Sequence, residues 1–393
     1  MEHDFDRLIE RRTTNSIKWN RYGKDVLPLW VADMDFRAPP PVVEALARAV
    51  DHGIFGYEEP SATLREAVAS RLERRQGWSV DPDWVVAVTG IVSAFYAAGR
   101  LLCGPGGRGP GYVIQPPVYM PFNDLERDLG LVRQDAPLER TAAGGDVGYR
   151  INWDFFSEAF GSRGARTGMF LLCDPHNPAG IAWEEPELRR MAGIALDAGS
   201  VLVSDEIHAE LLLGPTRHVS VASLDPEIAR RSLTLVAPSK TFNTAGLFCG
   251  FAVIPDPELR KAYRAMIERL TLHPASLALV AAEAAYSGAC DGWLGELLRY
   301  LEGNRDFLRA YIRERIPRLA VSRPAATYLA WIDARGLGLD NPQRFFLDKA
   351  RVALNDGEAF GAGGEGFVRL NFACPRSTLA EALERMRKAV EAL

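Results

Sequence analysis

Lys240 stands at the centre of VAPSKTFNTAG, directly after an apolar run from Leu233 to Ala237. The run reads as a buried strand, and Pro238 ends it. A lysine delivered to the mouth of an apolar core is costly unless it is neutral, paired or covalently engaged. A covalently engaged lysine means Schiff-base chemistry. The ends of the other apolar runs carry polar groups to match. They are Thr89-Gly90-Ile91-Val92-Ser93 at the opening of a helix, then Tyr119, Asn177, Asp205 with His208, and Ser239 beside Lys240.

Each of these types suits one part of a pyridoxal phosphate molecule. Lys240 offers the amine that forms an imine with its aldehyde. Asp205 keeps the pyridine nitrogen protonated, so that the ring stays an electron sink. Tyr119 stacks on the ring face. Asn177 and His208 hydrogen-bond the ring hydroxyl. The helix opening at Gly90, Ile91 and Val92 offers backbone N–H groups and a positive dipole end to the phosphate, and Ser239 adds a hydroxyl. Each residue also has a plain structural reading. Asp205 suits a helix N-cap, Asn177 a turn before Pro178, Tyr119 a core position, His208 a helix face, and Gly90 a helix start. The ordered succession of strand ends tips the balance towards the cofactor. His176 and His208 lack metal-ligand spacing, so no metal is expected.

The elements that must carry these groups alternate along the chain. VVEALARAV, TLREAVASRLERRQG, IVSAFYAAGRLLCG and PELRRMAGIALDAG have helical periodicity. DWVVAVTG, GYVIQPPVY, TGMFLLC and RSLTLVAP read as strands, and SVLVSDEIHAEL as a strand running into a helix. This predicts an α/β fold, a mostly parallel sheet sandwiched by helices. Residues 257–315 look largely helical. TYLAWID and GFVRLNFA then read as strands before an amphipathic terminal helix. Together with the irregular first forty residues, that tail suggests a smaller α+β domain built from both termini. The expected division is 1–45 (part of the small domain), 46–288 (large cofactor domain) and 289–393 (C-terminal small domain).

The 393 residues carry a net charge of −5 with interspersed signs, which argues against a nucleic-acid partner. Five widely spaced cysteines with no CxxC suggest reduced thiols and a cytoplasmic protein. Cys173 and Cys249 read as packing groups. No secretory signal and no run long enough to span a bilayer is visible, so no membrane role is expected.

The motifs LPLWVADMDF, HGIFGY, QPPVYMPF, CDPHNPAG, SDEIHAEL, APSKTFNTAGL and VRLNFACPR run in order from residue 27 to 376. With them the chain resembles fold type I pyridoxal-phosphate enzymes of the class I/II aminotransferase superfamily. Within that group it resembles the cystathionine β-lyase and cysteine-S-conjugate β-lyase branch, which includes maltose-regulon-modulator-type proteins. The resemblance implies that Arg369 grips the substrate α-carboxylate, with Arg376 its rival. It implies that Tyr57 reaches the cofactor phosphate of a neighbouring subunit, hence a homodimer with composite sites. It also implies that Trp30, Asp33 and Phe36 shape the substrate entrance.

Some positions depart from the transaminases. Phe248 stands where they commonly carry a phosphate-binding arginine, and Ala237 where they carry a serine. Asp174 and Ala179 vary the usual asparagine and threonine of the CDPHNPAG loop. The implied reaction is β-elimination from an L-cysteine S-conjugate such as cystathionine, giving a thiol, pyruvate and ammonia. Amino transfer from an L-amino acid is the alternative, and a cofactor-binding regulatory role a more distant third.

Overall fold

Strands without polar alternation need cover on both faces. The apolar runs of this chain obtain it in a seven-stranded sheet, seen in a computed structural model that describes residues 3–143 and 146–393. Across the sheet the order is Val85–Val88, Gly250–Val253, Ser232–Val236, Val201–Asp205, Thr167–Cys173, Gly111–Ile114 and Val132–Asp135. All these strands except Val132–Asp135 are buried along their whole length. The strands run parallel except Gly250–Val253, which is antiparallel to both neighbours.

The helix Ile91–Cys103 lies on one face, burying Ala94, Phe95, Ala97, Ala98 and Leu102 among the side chains of the strands. On the other face the helix Glu185–Asp197 buries Leu188, Met191, Ala192 and Ala195 against Phe170, Leu172 and Leu202. A reciprocal capping box between Glu184 and Glu187 fixes where that helix starts.

A second, six-stranded sheet contains Ala320–Ser322, Leu329–Asp333, Asn355–Asp356 and Phe367–Asn371. It also takes the strands Glu139–Ala143 and Asp146–Arg150, the latter paired parallel to Ala320–Ser322. These two strands fall inside the range expected for the large domain, where the sequence offered no strong apolar alternation. The N-terminal segment is tied to the C-terminal part through Leu27–Pro28, which pairs parallel with Val352–Ala353. The helical region divides into Pro257–Leu270, Ser276–Tyr286 and Asp291–Arg315.

One expected element does not form. SDEIHAEL continues after Asp205 as turns, not as a helix. The reason lies in Glu206, whose carboxylate is drawn inwards. It accepts Ser204 Oγ at 3.0 Å and Ser220 Oγ at 2.9 Å, and faces His218 Nε2 at 3.0 Å. That leaves no N-cap role for Asp205.

Candidate active site

The carboxyl ends of parallel strands are where an open α/β sheet binds ligands. Asp205 ends its strand there, in register with Cys173 on one side and Leu235 on the other. Its Oδ1 accepts the Ile207 N–H at 3.1 Å, closing a turn. Among the described residues no cation pairs with this buried carboxylate. Burial pushes its pKa up to about 7, against the Ile207 amide and Lys240, which pull it down. Beneath it, His218 sits between Glu206 and Asp174, whose Oδ2 is 3.5 Å from His218 Nδ1. Burial disfavours a charged imidazole here, but the two carboxylates outweigh it and raise the His218 pKa.

Lys240 lies on the single turn Pro238–Thr241, and its Nζ donates to the carbonyl of Ala32 at 2.7 Å. Burial and the nearby Arg369 charge lower its pKa to about 8, while Asp33 and Asp205 resist. The amine is therefore far easier to deprotonate than an ordinary lysine. Tyr119 keeps its proton, because burial and then Asp205 push its pKa up to about 12. His208 is buried edge-on to Tyr328, with ring centroids 6.2 Å apart, and its Nδ1 has no hydrogen-bond partner among the described residues. Burial, Lys240 and Arg369 lower its pKa to about 3, so the ring is neutral.

Arg369 comes from the second sheet and is buried. Its Nη1 donates to Asn177 Oδ1 at 2.9 Å, and its Nη2 to Asn355 Oδ1 at 2.6 Å and to the Trp30 carbonyl at 3.2 Å. Among the described residues no carboxylate pairs with it, and burial lowers its pKa to about 10. A buried guanidinium held by neutral oxygens is a strong site for an anion.

Gly90 precedes the helix Ile91–Cys103 at φ 154° and ψ 166°, a conformation nearly confined to glycine. A Cβ added there would meet no atom within 4 Å, so the space beside the turn is open. The first helical bond runs from Ala94 N–H to the Gly90 carbonyl. The N–H groups of Ile91, Val92 and Ser93 precede it and are left over, as at any helix start. Ser239 is half-buried next to Lys240.

Lys240, Asp205, Tyr119, His208, Asn177 and Arg369 are thus one electrostatic and hydrogen-bonded group. Trp30 joins it through its carbonyl, and Asp33 through its charge, although the Asp33 carboxylate is engaged by Arg11 at 2.8 Å and Lys18 at 3.5 Å. Phe36 does not join. It is buried against Phe5 and Tyr300, as core. Arg376 is held elsewhere, with Nε on Asn304 Oδ1 at 2.6 Å and its guanidinium over Phe307. Tyr57 is fully exposed and touches none of these groups in its own chain. Phe248 is exposed in a left-handed conformation, and Ala237 is buried. Cys173 and Cys249 are buried, and burial raises both thiol pKa values.

Two site residues carried no sequence signal strong enough to single them out. Asn355 sits on a two-residue strand, and only its contact with Arg369 marks it. Tyr328 lies in the readable strand motif TYLAWID, where a buried tyrosine could have raised the question of what its hydroxyl bonds.

The residues fit pyridoxal phosphate on their own chemistry. An unpaired buried carboxylate awaits a ring N–H, an unpartnered imidazole nitrogen and an amide face the same site, and an open glycine turn leads to free amides. The chain belongs to the class I and II aminotransferase family, whose model matches residues 24–386. It is 38% identical over 396 residues to the cystathionine beta-lyase PatB of Bacillus subtilis, covering 98% of this chain and 100% of that protein. Cystalysin from Treponema denticola, whose structure contains pyridoxal 5'-phosphate, superposes with a TM-score of 0.92 at 31% identity over 100% of both chains. A PLP-bound C-S lyase from Staphylococcus hominis superposes with a TM-score of 0.89 at 28% identity, over 99% of this chain and 98% of that one.

Proposed function

We propose that this protein is a pyridoxal-phosphate-dependent carbon–sulfur lyase acting on L-cysteine S-conjugates of the cystathionine kind. The observation that carries the reading is the convergence of an amine of lowered pKa, Lys240, on the unpaired Asp205 carboxylate and the anion-seeking Arg369. When bound, the cofactor supplies an electron sink for the pair left behind by the Cα proton.

The chain's own residues do the rest. Arg369 would take the substrate α-carboxylate as a fork and so fix how the Cα–H bond is presented to Lys240. Lys240, neutral above about pH 8, accepts the Cα proton as general base. Asp205 answers the positive ring nitrogen. Asn177 and the neutral His208 donate to or accept from the ring hydroxyl, and Tyr119 covers the ring face. Ile91, Val92, Ser93 and Ser239 hold the phosphate, with Tyr57 of a second copy in a homodimer. The balance is one S-conjugate plus one water giving one thiol, one pyruvate and one ammonium.

The test is incubation of the cofactor-loaded protein with cystathionine in the absence of any keto acid. Pyruvate and a free thiol should accumulate together. Transfer of the amino group to an added keto acid, with neither product formed, would replace this reading by an aminotransferase. A Lys240→Ala variant that kept a cellular effect would point instead to a regulatory role.

A further inference from the structure

The segment from Trp30 to Phe36 crosses the site as a strap whose carbonyls are taken up by side chains. Trp30 O receives Arg369, Val31 O and Asp33 O receive Asn371 Nδ2 at 2.7 Å each, and Met34 O and Phe36 O receive Asn243 Nδ2 at 3.1 and 2.7 Å. Asp33 O also accepts Lys18 Nζ at 2.9 Å, and Met34 O also accepts Arg11 Nη1 at 3.1 Å; the Ala32 carbonyl is the one on this segment that meets Lys240. It accepts Lys240 Nζ at 2.7 Å and the Tyr328 hydroxyl at 3.0 Å together.

Tyr328 is fully buried, and burial and the nearby Asp33 raise its pKa, so the hydroxyl keeps its proton. It is held on both sides. The His208 ring lies edge-on to it, and the preceding Thr327 is buried at φ 70°. A β-branched residue at positive φ is a true outlier, which persists only where its surroundings over-determine it. Here Thr327 N–H donates to Leu211 O at 2.7 Å, and its Oγ1 accepts Leu329 N–H at 3.2 Å.

We propose that Tyr328 is a positioning residue for the reaction. It fixes the Ala32 carbonyl as the seat of the Lys240 amine in the interval when substrate has displaced that amine from the cofactor. This rests on the reading of Lys240 as the base. A released lysine is a primary amine on a flexible four-carbon stem. A fixed carbonyl that accepts one of its hydrogens leaves the nitrogen lone pair a defined direction, so the amine meets the Cα proton in place. Tyr328 acts through Ala32 and touches neither cofactor nor substrate in this scheme. The step is a single proton transfer: the Cα–H bond breaks, the neutral amine becomes an ammonium, and the electron pair stays with the carbon.

Tyr328→Phe removes the hydroxyl and keeps the ring against His208. In the cofactor-loaded variant, exchange of the substrate Cα hydrogen with deuterated water should fall by about tenfold to a hundredfold. The KM should change by less than about threefold, and cofactor affinity, read by tryptophan fluorescence, by less than about twofold, since the binding contacts are untouched. Exchange within about twofold of wild type overturns the proposal. So does a parallel loss of cofactor affinity, which would mark a purely structural tyrosine. A second measurement guards against a poorly folded variant. Methylamine added to Lys240→Ala should restore part of the exchange, and adding Tyr328→Phe to that background should remove the restoration. Undiminished restoration would also overturn it. A wild type that releases no pyruvate from any sulfur amino acid overturns the lyase reading itself, a result distinct from a normal wild type with a normal variant.

Discussion

Asn177 and Arg369 share a hydrogen bond of 2.9 Å that joins the end of the first sheet's central strands to a strand of the second. The guanidinium also rests on Asn355, while its buried Nε has no partner among the described residues. A carboxylate arriving here meets a cation already oriented by neutral amides, so little reorganisation is needed.

Arg369→Lys should keep the charge but lose the fork. A fall in kcat/KM of about a hundredfold is expected, on the scale of the roughly 2–5 kcal/mol for truncating a buried charge-assisted pair. Steady-state kinetics with cystathionine measure it, and a change below threefold would remove Arg369 from carboxylate binding. Asn177→Ala should cost less, about tenfold, because it loosens the arginine and leaves the charge in place.

Asp205→Asn should stabilise the cofactor-free protein in a pH-dependent way. The folded carboxyl pKa is about 7, against 3.8 as a free group. Between those values the unfolded chain has released its proton and the folded chain has not, so stability drains from the wild type as pH rises. The advantage of the asparagine variant is expected to be absent at pH 4, to grow up to pH 7 and to level off above it. Melting temperatures across that range decide the matter. The same variant should lose activity in the loaded enzyme.

Lys240 should capture the cofactor faster as pH rises through 8, where the folded amine gives up its proton. The rate of appearance of visible absorbance on mixing reads this directly. Lys240→Ala should show no such band, and a band that survives the substitution would sink the assignment of the anchor.

Tyr57 is predicted to serve the partner's site. Lys240→Ala and Tyr57→Ala homodimers should each be impaired. Dissociating, mixing and reassociating them should restore activity to about a quarter of wild type, through the heterodimer's one intact site. Mixing without any gain would mean that each chain completes its own site.

Lys240, Asp205, Asn177, Tyr119 and Gly90 were legible because each follows an apolar run, and strand ends of a parallel sheet point to one place. Arg369 needed the family resemblance, since its strand lies in another sheet and nothing local in VRLNFA says which way it faces. The turn after Asp205 was not legible, because the inward pull on Glu206 comes from His218 and Ser220, which lie beyond the motif, together with the adjacent Ser204. Tyr328 and Asn355 act through contacts with main chain and with Arg369, and no residue spacing encodes those. The strands Glu139–Ala143 and Asp146–Arg150 are short and mixed in polarity, so only the pairing of Asp146–Arg150 with Ala320–Ser322, and of Glu139–Ala143 with Asp146–Arg150, defines their place.

Trp30 and Ala32, two residues apart, offer their carbonyls to Arg369 and Lys240. The amine proposed to work at Cα and the cation proposed to grip the adjoining carboxylate are therefore gauged by one short length of backbone. With those roles, an amino acid with an extra methylene between its amine-bearing carbon and its carboxylate is expected to satisfy one of them and miss the other, so that β-amino acids should be poor substrates.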